Sequence, residues 1–204
     1  QNAPDVSFGP RLAYPTGAHY DYDIESQIIA AFVNFEWNLT EKTKLVTGIR
    51  GEKVNYEYKT NIQPGTKGRI QVSPNRDDDF SEFSPKLAIN HKINDELAIF
   101  ANYSRGNRAP QTTDLYRIQS KQIPGGAKSE KLDSLEIGLR GNFSIFNIEL
   151  VGFDMSKDNY FFRDSQGFNV ENGKTTHRGF EINFLAEFNQ FFQIENSTSF
   201  AEHE

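Results

Sequence analysis

Apolar and polar side chains alternate with a period of two along most of this chain, a rhythm that builds strands and not amphipathic helices. Between Ile28 and Leu39, one parity holds Ile29, Ala31, Val33, Phe35, Trp37 and Leu39, all apolar, while the other turns polar at Asn34, Glu36 and Asn38. Between Glu82 and Ile93, Phe83, Leu87, Ile89 and Ile93 oppose Glu82, Ser84, Lys86, Asn90 and Lys92. Leu135, Ile137 and Leu139 oppose Ser134, Glu136, Gly138 and Arg140. Phe180, Ile182, Phe184, Ala186 and Phe188 oppose a face carrying Glu181, Asn183 and Glu187. Each set occupies one face of a sheet.

The rhythm predicts eight strands, roughly 28–39, 44–56, 80–93, 97–105, 132–142, 147–157, 176–187 and 191–200. Short turns are expected at Thr40–Thr43, Asn94–Glu96, Phe143–Phe146 and Phe188–Gln190. Long polar stretches are expected at Tyr58–Asp79, Gly106–Lys131 and Asp158–Thr175. Short and long connections alternate, so an up-and-down sheet collects all turns at one end and all loops at the other, as outer-membrane barrels do. The longest apolar run, Ile28–Val33, is far below the about 20 residues that a membrane-spanning helix needs. A soluble sandwich alternates in the same way. Two features favour a membrane barrel: the sorted connection lengths, and aromatics near strand ends (Trp37, Tyr103, Phe188) placed as an interfacial girdle. Two residues fit less simply. Pro85 needs a bulge or a strand end, and Asp154 shares the parity of Ile148 and Leu150, so either the register slips or Asp154 stands above the membrane.

Composition excludes several classes. Aromatic residues make up 13% of the chain, with 18 Phe, which argues against disorder. The net charge of −6 leaves no basic face for nucleic acid. There is no cysteine, so thiolate chemistry and disulfides are absent. His19, His91, His177 and His203 form no H-x-H or H-x-x-x-H pair, and no metal site is expected from them. No G-x-S-x-G supports a hydrolase, and Gly125-Gly126-Ala127-Lys128-Ser129 lacks phosphate-loop spacing and is expected to be a flexible loop tip. Asp77-Asp78-Asp79 reads as a solvated run before a strand rather than a calcium loop. Neither an enzyme nor a cofactor is expected.

Several segments resemble the barrel of TonB-dependent outer-membrane receptors. Thr47-Gly48-Ile49-Arg50-Gly51-Glu52 is similar to the family's G-L-R-Y-E. Phe83-Ser84-Pro85-Lys86-Leu87 resembles its F-S-P-K-L strand. Asn102-Tyr103-Ser104-Arg105-Gly106-Asn107-Arg108-Ala109-Pro110, continuing to Asp114-Leu115-Tyr116, resembles Y-S-x-G-F-R-A-P followed by Glu-Leu-Tyr, with Asn107 where Phe is usual. Ser129-Glu130 through Glu136-Ile137-Gly138 is similar to P-E-x-S-x-x-x-E-x-G, with Ser129 where Pro is usual. Asn172-Gly173-Lys174 through Arg178-Gly179-Phe180-Glu181-Ile182 resembles N-x-G-x-x-x-x-G-V-E-L.

The resemblance implies an all-β, antiparallel up-and-down transmembrane barrel segment, with about eight strands of a barrel of about 22 around a plugged lumen. Residues 1–204 are then expected to be one partial barrel domain, without the plug or the C-terminal strand; the start at Gln1 and the end at Glu204, where such barrels end in an aromatic, agree. It also implies residence in the bacterial outer membrane and import of a scarce nutrient, an iron–siderophore complex, with energy from the TonB complex. The expected contacts are membrane lipid, the iron chelate or another small nutrient, and no nucleic acid. The polar parity makes Arg50, Glu52, Glu136, Arg140 and Glu181 candidate lumen-facing residues, and Arg69, Arg76, Tyr160 and Arg163 are candidates for ligand capture from the loops. Two alternatives stand beside this one: a closed eight-stranded barrel with a structural or adhesive role, and a soluble β-sandwich binding module.

Overall fold

A computed structural model describes residues 17–165 and 168–204. Gln1, and positions 166 and 167 of the expected Asp158–Thr175 loop, lie outside the described residues. Eight long strands form one antiparallel sheet: β1 (Tyr22–Asn38), β2 (Thr43–Thr60), β5 (Arg76–Lys92), β6 (Leu97–Arg108), β8 (Glu130–Asn142), β9 (Phe146–Arg163), β10 (Asn169–Asn189) and β11 (Phe192–His203). Each pairs with its neighbour in chain order. Three short strands, β3 (Gly65–Lys67), β4 (Ile70–Val72) and β7 (Ile118–Gln119), make a second small sheet, and α1 spans Thr112–Tyr116.

One continuous eight-stranded sheet, with β1 and β11 at its two edges, is neither two stacked layers nor a closed ring of eight. Both alternative folds are therefore overturned, and an open arc of barrel wall is what the residues build. All eight expected strands are present, and every one extends further on the loop side: β1 begins at Tyr22 and β10 at Asn169. The reason is physical. Side-chain alternation marks only the part in hydrocarbon, about 9–11 residues, whereas the backbone ladder continues above it among polar residues.

Register places the apolar residues on one face. Ala101, Ile137, Gly152 and Phe180 lie in one row across β6, β8, β9 and β10, and Leu139, Leu150 and Ile182 in the next. Ile137 is 61% exposed and Phe180 49%, because nothing in this chain covers that face. At its turn end the face carries clustered rings, with Phe35 5.7 Å from Trp37, Phe146 5.9 Å from Phe184 and Phe188 5.5 Å from Phe192. On the loop side the apolar rows stop at Lys53, Arg105, Asp133, Asp154 and Arg178. β11 departs from the pattern with Asn196 and Thr198 on this face, where the Thr198 hydroxyl donates to Asn196 Oδ1 at 3.1 Å.

The two awkward residues are resolved. β8 and β9 pair without a shift from Lys131–Asp158 to Asn142–Asn147, so Asp154 remains on the apolar face, at its loop-side border. It accepts a bond there from Arg178 Nε at 2.8 Å. Pro85 sits inside β5, opposite Ile49, and involves no bulge. The β5–β6 ladder begins only at Lys86–Ser104, so Pro85 falls just past the end of that ladder, where a missing N–H costs little. Beyond it, Asn107 Nδ2 donates to the Phe83 carbonyl (2.8 Å) and to Ser84 Oγ (2.9 Å), bridging the gap with a side chain where the backbones have parted.

Candidate functional site

The face opposite the apolar one, called the inner face below, carries the candidate site. Arg50, Glu52, Glu136, Arg140 and Glu181 all project to it, since register links each of them to the same set of rows. Glu136, Arg140 and Glu181 come together in one cavity of about 260 Å³, shared with Glu149, Phe100, Val151, Phe153 and Met155. Arg140 Nε donates to Glu149 Oε2 at 2.6 Å, and its guanidinium carbon stands 5.2 Å from the Phe100 ring centroid. Gly138 makes room for that ring: a Cβ there would lie 2.3 Å from Phe100 Cζ. Arg50 and Glu52 lie apart on β2 and pair with each other.

Above this wall the β6–β8 connection turns inward and forms a roof instead of standing free. Tyr116 at the end of α1 stacks on Tyr58 of β2, with ring centroids 4.3 Å apart and planes 14° from parallel. Leu115 and Ala127 complete a buried cluster against which Tyr22, Ile24, Tyr56, Phe80 and Phe161 pack, all of them from strand tops. This buried apolar core sits under the loop, at the top of the sheet. The Tyr116 hydroxyl donates to Asp78 Oδ2 at 2.9 Å, and Arg76 donates to both oxygens of the same carboxylate. Burial first, then the Asp78 carboxylate, push the Tyr116 hydroxyl well above the usual tyrosine range. Arg76 also fills the space over Gly125, whose φ of +76° suits glycine. The expected flexible tip at Gly125–Ser129 is thus a packed turn, with Ala127 and Ser129 both buried. In the acidic run, alternation along β5 turns Asp78 inward to 8% exposure and leaves Asp77 and Asp79 outside.

The loops are joined to one another. β4 pairs with β3 inside the β2–β5 loop and with β7 of the β6–β8 loop. Asn169 N donates to Gln119 Oε1 at 2.8 Å, and Gln122 Nε2 to Glu171 Oε1 at 2.6 Å, which ties both to the start of β10. The four ligand-capture candidates occupy three places. Arg69, buried, and Lys121 each put their cationic group 4.1 Å from the Phe168 ring centroid. Arg76 lies under the roof on Asp78. Tyr160 and Arg163 lie at the upper end of β9, where Tyr160 stacks on Phe162 at 5.5 Å.

Sequence reasoning missed Tyr58, Tyr116 and Asp78 as partners, because they lie far apart in the chain, on β2, α1 and β5, and no local pattern joins them. It also missed the cluster in which Glu130 accepts from Arg108 (2.9 Å) and Lys157 (3.3 Å), and the cross-strand contact of His177 with His203. Register arithmetic from the turns finds the first; the second also needs the one-residue shift between Glu187 and Asn189. Among the described residues, no three His, Cys, Asp or Glu side chains gather to hold a metal ion.

A two-faced, up-and-down antiparallel sheet with an uncovered apolar face, an aromatic fringe, a charged inner face and long loops at one end defines a transmembrane β-barrel wall. Residues 2–202 match the family described as TonB dependent receptor-like, beta-barrel, and the chain belongs to that family, whose barrels lie in the outer membrane of Gram-negative bacteria. Similar solved structures include the copper transporter OprC (TM-score 0.71, 18% identity, 89% of this chain and 29% of that one). The ferric-catecholate import receptor Fiu from K12 E. coli is similar over 90% of this chain and 29% of its own (TM-score 0.68, 16% identity). So is the ferric yersiniabactin uptake receptor FyuA from Yersinia pestis, over 90% of this chain and 28% of its own (TM-score 0.69, 13% identity). At these identities the likeness is one of fold, and the chain spans under a third of the length of each. No curated protein sequence matches the chain.

Proposed function

We propose that this chain is part of the wall of an outer-membrane importer that takes up a scarce nutrient, an iron–siderophore complex, with energy delivered by the TonB complex. The observation that carries this reading is the family match over residues 2–202, and the ferric-chelate receptors among its structural neighbours support the substrate class. The role is mechanical and electrostatic, with no covalent step. Arg50, Glu52, Glu136, Arg140 and Glu181 face a wet lumen and a mobile plug, because on the opposite face a mid-membrane Arg or Lys costs about 2–4 kcal/mol. Arg69, Arg76, Tyr160 and Arg163 belong to the loop region where an incoming anionic or aromatic chelate first meets the receptor.

The test is uptake by cells. A host strain lacking the receptor, given a panel of radiolabelled ferric chelates as sole iron source, should lose uptake of at least one and regain it on complementation. Unchanged uptake of every chelate, together with lost uptake of a non-iron nutrient, overturns the substrate assignment. Unchanged uptake of all nutrients overturns import itself.

A further inference from the structure

We propose that His177, His203 and Met155 form a binding site for a soft transition-metal ion, copper ahead of zinc, on the inner face of β9–β11. A β-bulge creates the site. Between Glu187 and Asn189 the β10–β11 register shifts by one, so that Glu187 faces Gln193 although Asn189 faces Phe192. Without that extra residue His177 would oppose Glu204 and His203 would oppose the outward Arg178. With it, His177 and His203 are direct partners on one face.

The two rings meet, Nδ1 to Nδ1, with centroids 4.8 Å apart and planes inclined at 68°. An ion held at about 2.0–2.1 Å by each of two imidazole nitrogens sets those nitrogens about 3.3–3.6 Å apart, so binding turns the two rings out of their direct contact. His177 Nε2 lies 3.2 Å from Thr175 Oγ1. In the tautomer with its proton on Nε2, the Thr175 hydroxyl accepts and the Nδ1 lone pair is left on the side of His203, the supporting contact that metal-bound imidazoles use.

Met155 is the third member by register, since it is the Cα partner of His177 on β9. Directly opposed side chains stand about 4.5–5.5 Å apart at Cβ, so Met155, His177 and His203 occupy one row across three strands; the Met155 side chain lines the cavity of Glu136, Arg140 and Glu181 just below and turns up from it to meet the ion. Phe153 lies against Gly179 in the next row below, with its Cζ 2.7 Å from where a Cβ would be, and closes that side. Above, Lys157 is engaged by Glu130 at 3.3 Å. Two imidazoles and a thioether, with no carboxylate in the row, select copper or zinc over magnesium or calcium, and the sulfur favours Cu(I). The site stands on wall geometry alone and needs no assumption about what is imported.

The whole barrel protein that carries this chain, in detergent micelles and stripped with chelator, would be titrated anaerobically with Cu(I) against a chromogenic competitor, and separately with Zn(II). One saturable Cu(I) per chain is expected. His177→Phe and His203→Phe should each weaken it about tenfold or more. Met155→Leu should weaken Cu(I) about tenfold while changing Zn(II) by less than about threefold. Heat-modifiable migration on gels, retained by each variant, checks that the barrel is folded. No saturable binding, or histidine variants that bind as tightly as the parent, overturns the site. Because the readout is metal affinity in micelles, its failure leaves the import reading untouched, and failed import leaves the site untouched.

Discussion

Tyr116 shows how much one loop residue does here. It gives its ring to Tyr58 and its hydroxyl to Asp78, and so fastens a loop to the wall. Tyr116→Phe removes only the hydroxyl bond and leaves Asp78 with Arg76, so it should cost about 0.5–1.5 kcal/mol. Tyr116→Ala removes the buried ring and should cost about 3–5 kcal/mol. Hydrogen exchange over 109–129 should therefore rise modestly in the first variant and sharply in the second; equal rises would show that the ring contributes nothing beyond its hydroxyl. The raised Tyr116 pKa sets the pH window: the contribution is complete below the ordinary tyrosine value of about 10 and is lost only as pH climbs through the higher folded one. Residues of this kind were the least legible in the sequence. Asp78 sat in an acidic run that reads as solvated, and only the continuation of β5 through that run turns it inward.

At the scale of strands the sequence was far more informative, because a sheet face is written in steps of two. Ile137 and Glu136 are adjacent in β8 and point to opposite faces, so the same substitution separates the two environments. Ile137→Arg places a charge in acyl chains at about 2–4 kcal/mol, whereas Glu136→Arg exchanges one solvated charge for another. The yield of heat-modifiable barrel in outer-membrane fractions should fall steeply for the first and little for the second; equal falls would refute the assigned faces. Two things at this scale escaped the sequence. The strand tops lie above the membrane, where no alternation is required, so their length was invisible. The bulge after Glu187 adds one residue without any glycine to announce it, yet it decides which side chains face each other along β10 and β11. The short β3, β4, β7 and α1 carry too few residues for periodicity and exist only through contact with one another and with the wall.

For the whole molecule, the decisive fact is that the sheet is open. Its two edge strands present unpaired backbone groups, and its apolar rows have no protein cover. These 204 residues alone should therefore associate or precipitate in detergent-free buffer, as sedimentation would record, and disperse once micelles are supplied. A monodisperse monomer with a sharp thermal transition in plain buffer would contradict the membrane-facing assignment. The fold class was legible because hydrophobic alternation and sorted connection lengths are properties of the entire chain. The roof was not, because it depends on pairs such as Tyr58–Tyr116 and Gln122–Glu171 that no local window contains.

The small sheet that joins the β2–β5 and β6–β8 loops also bears on how this surface is seen from outside the cell. Two stretches separated by some fifty positions are presented as a single relief, so an antibody that spans both strands is expected to read a shape that peptides copied from either stretch alone lack.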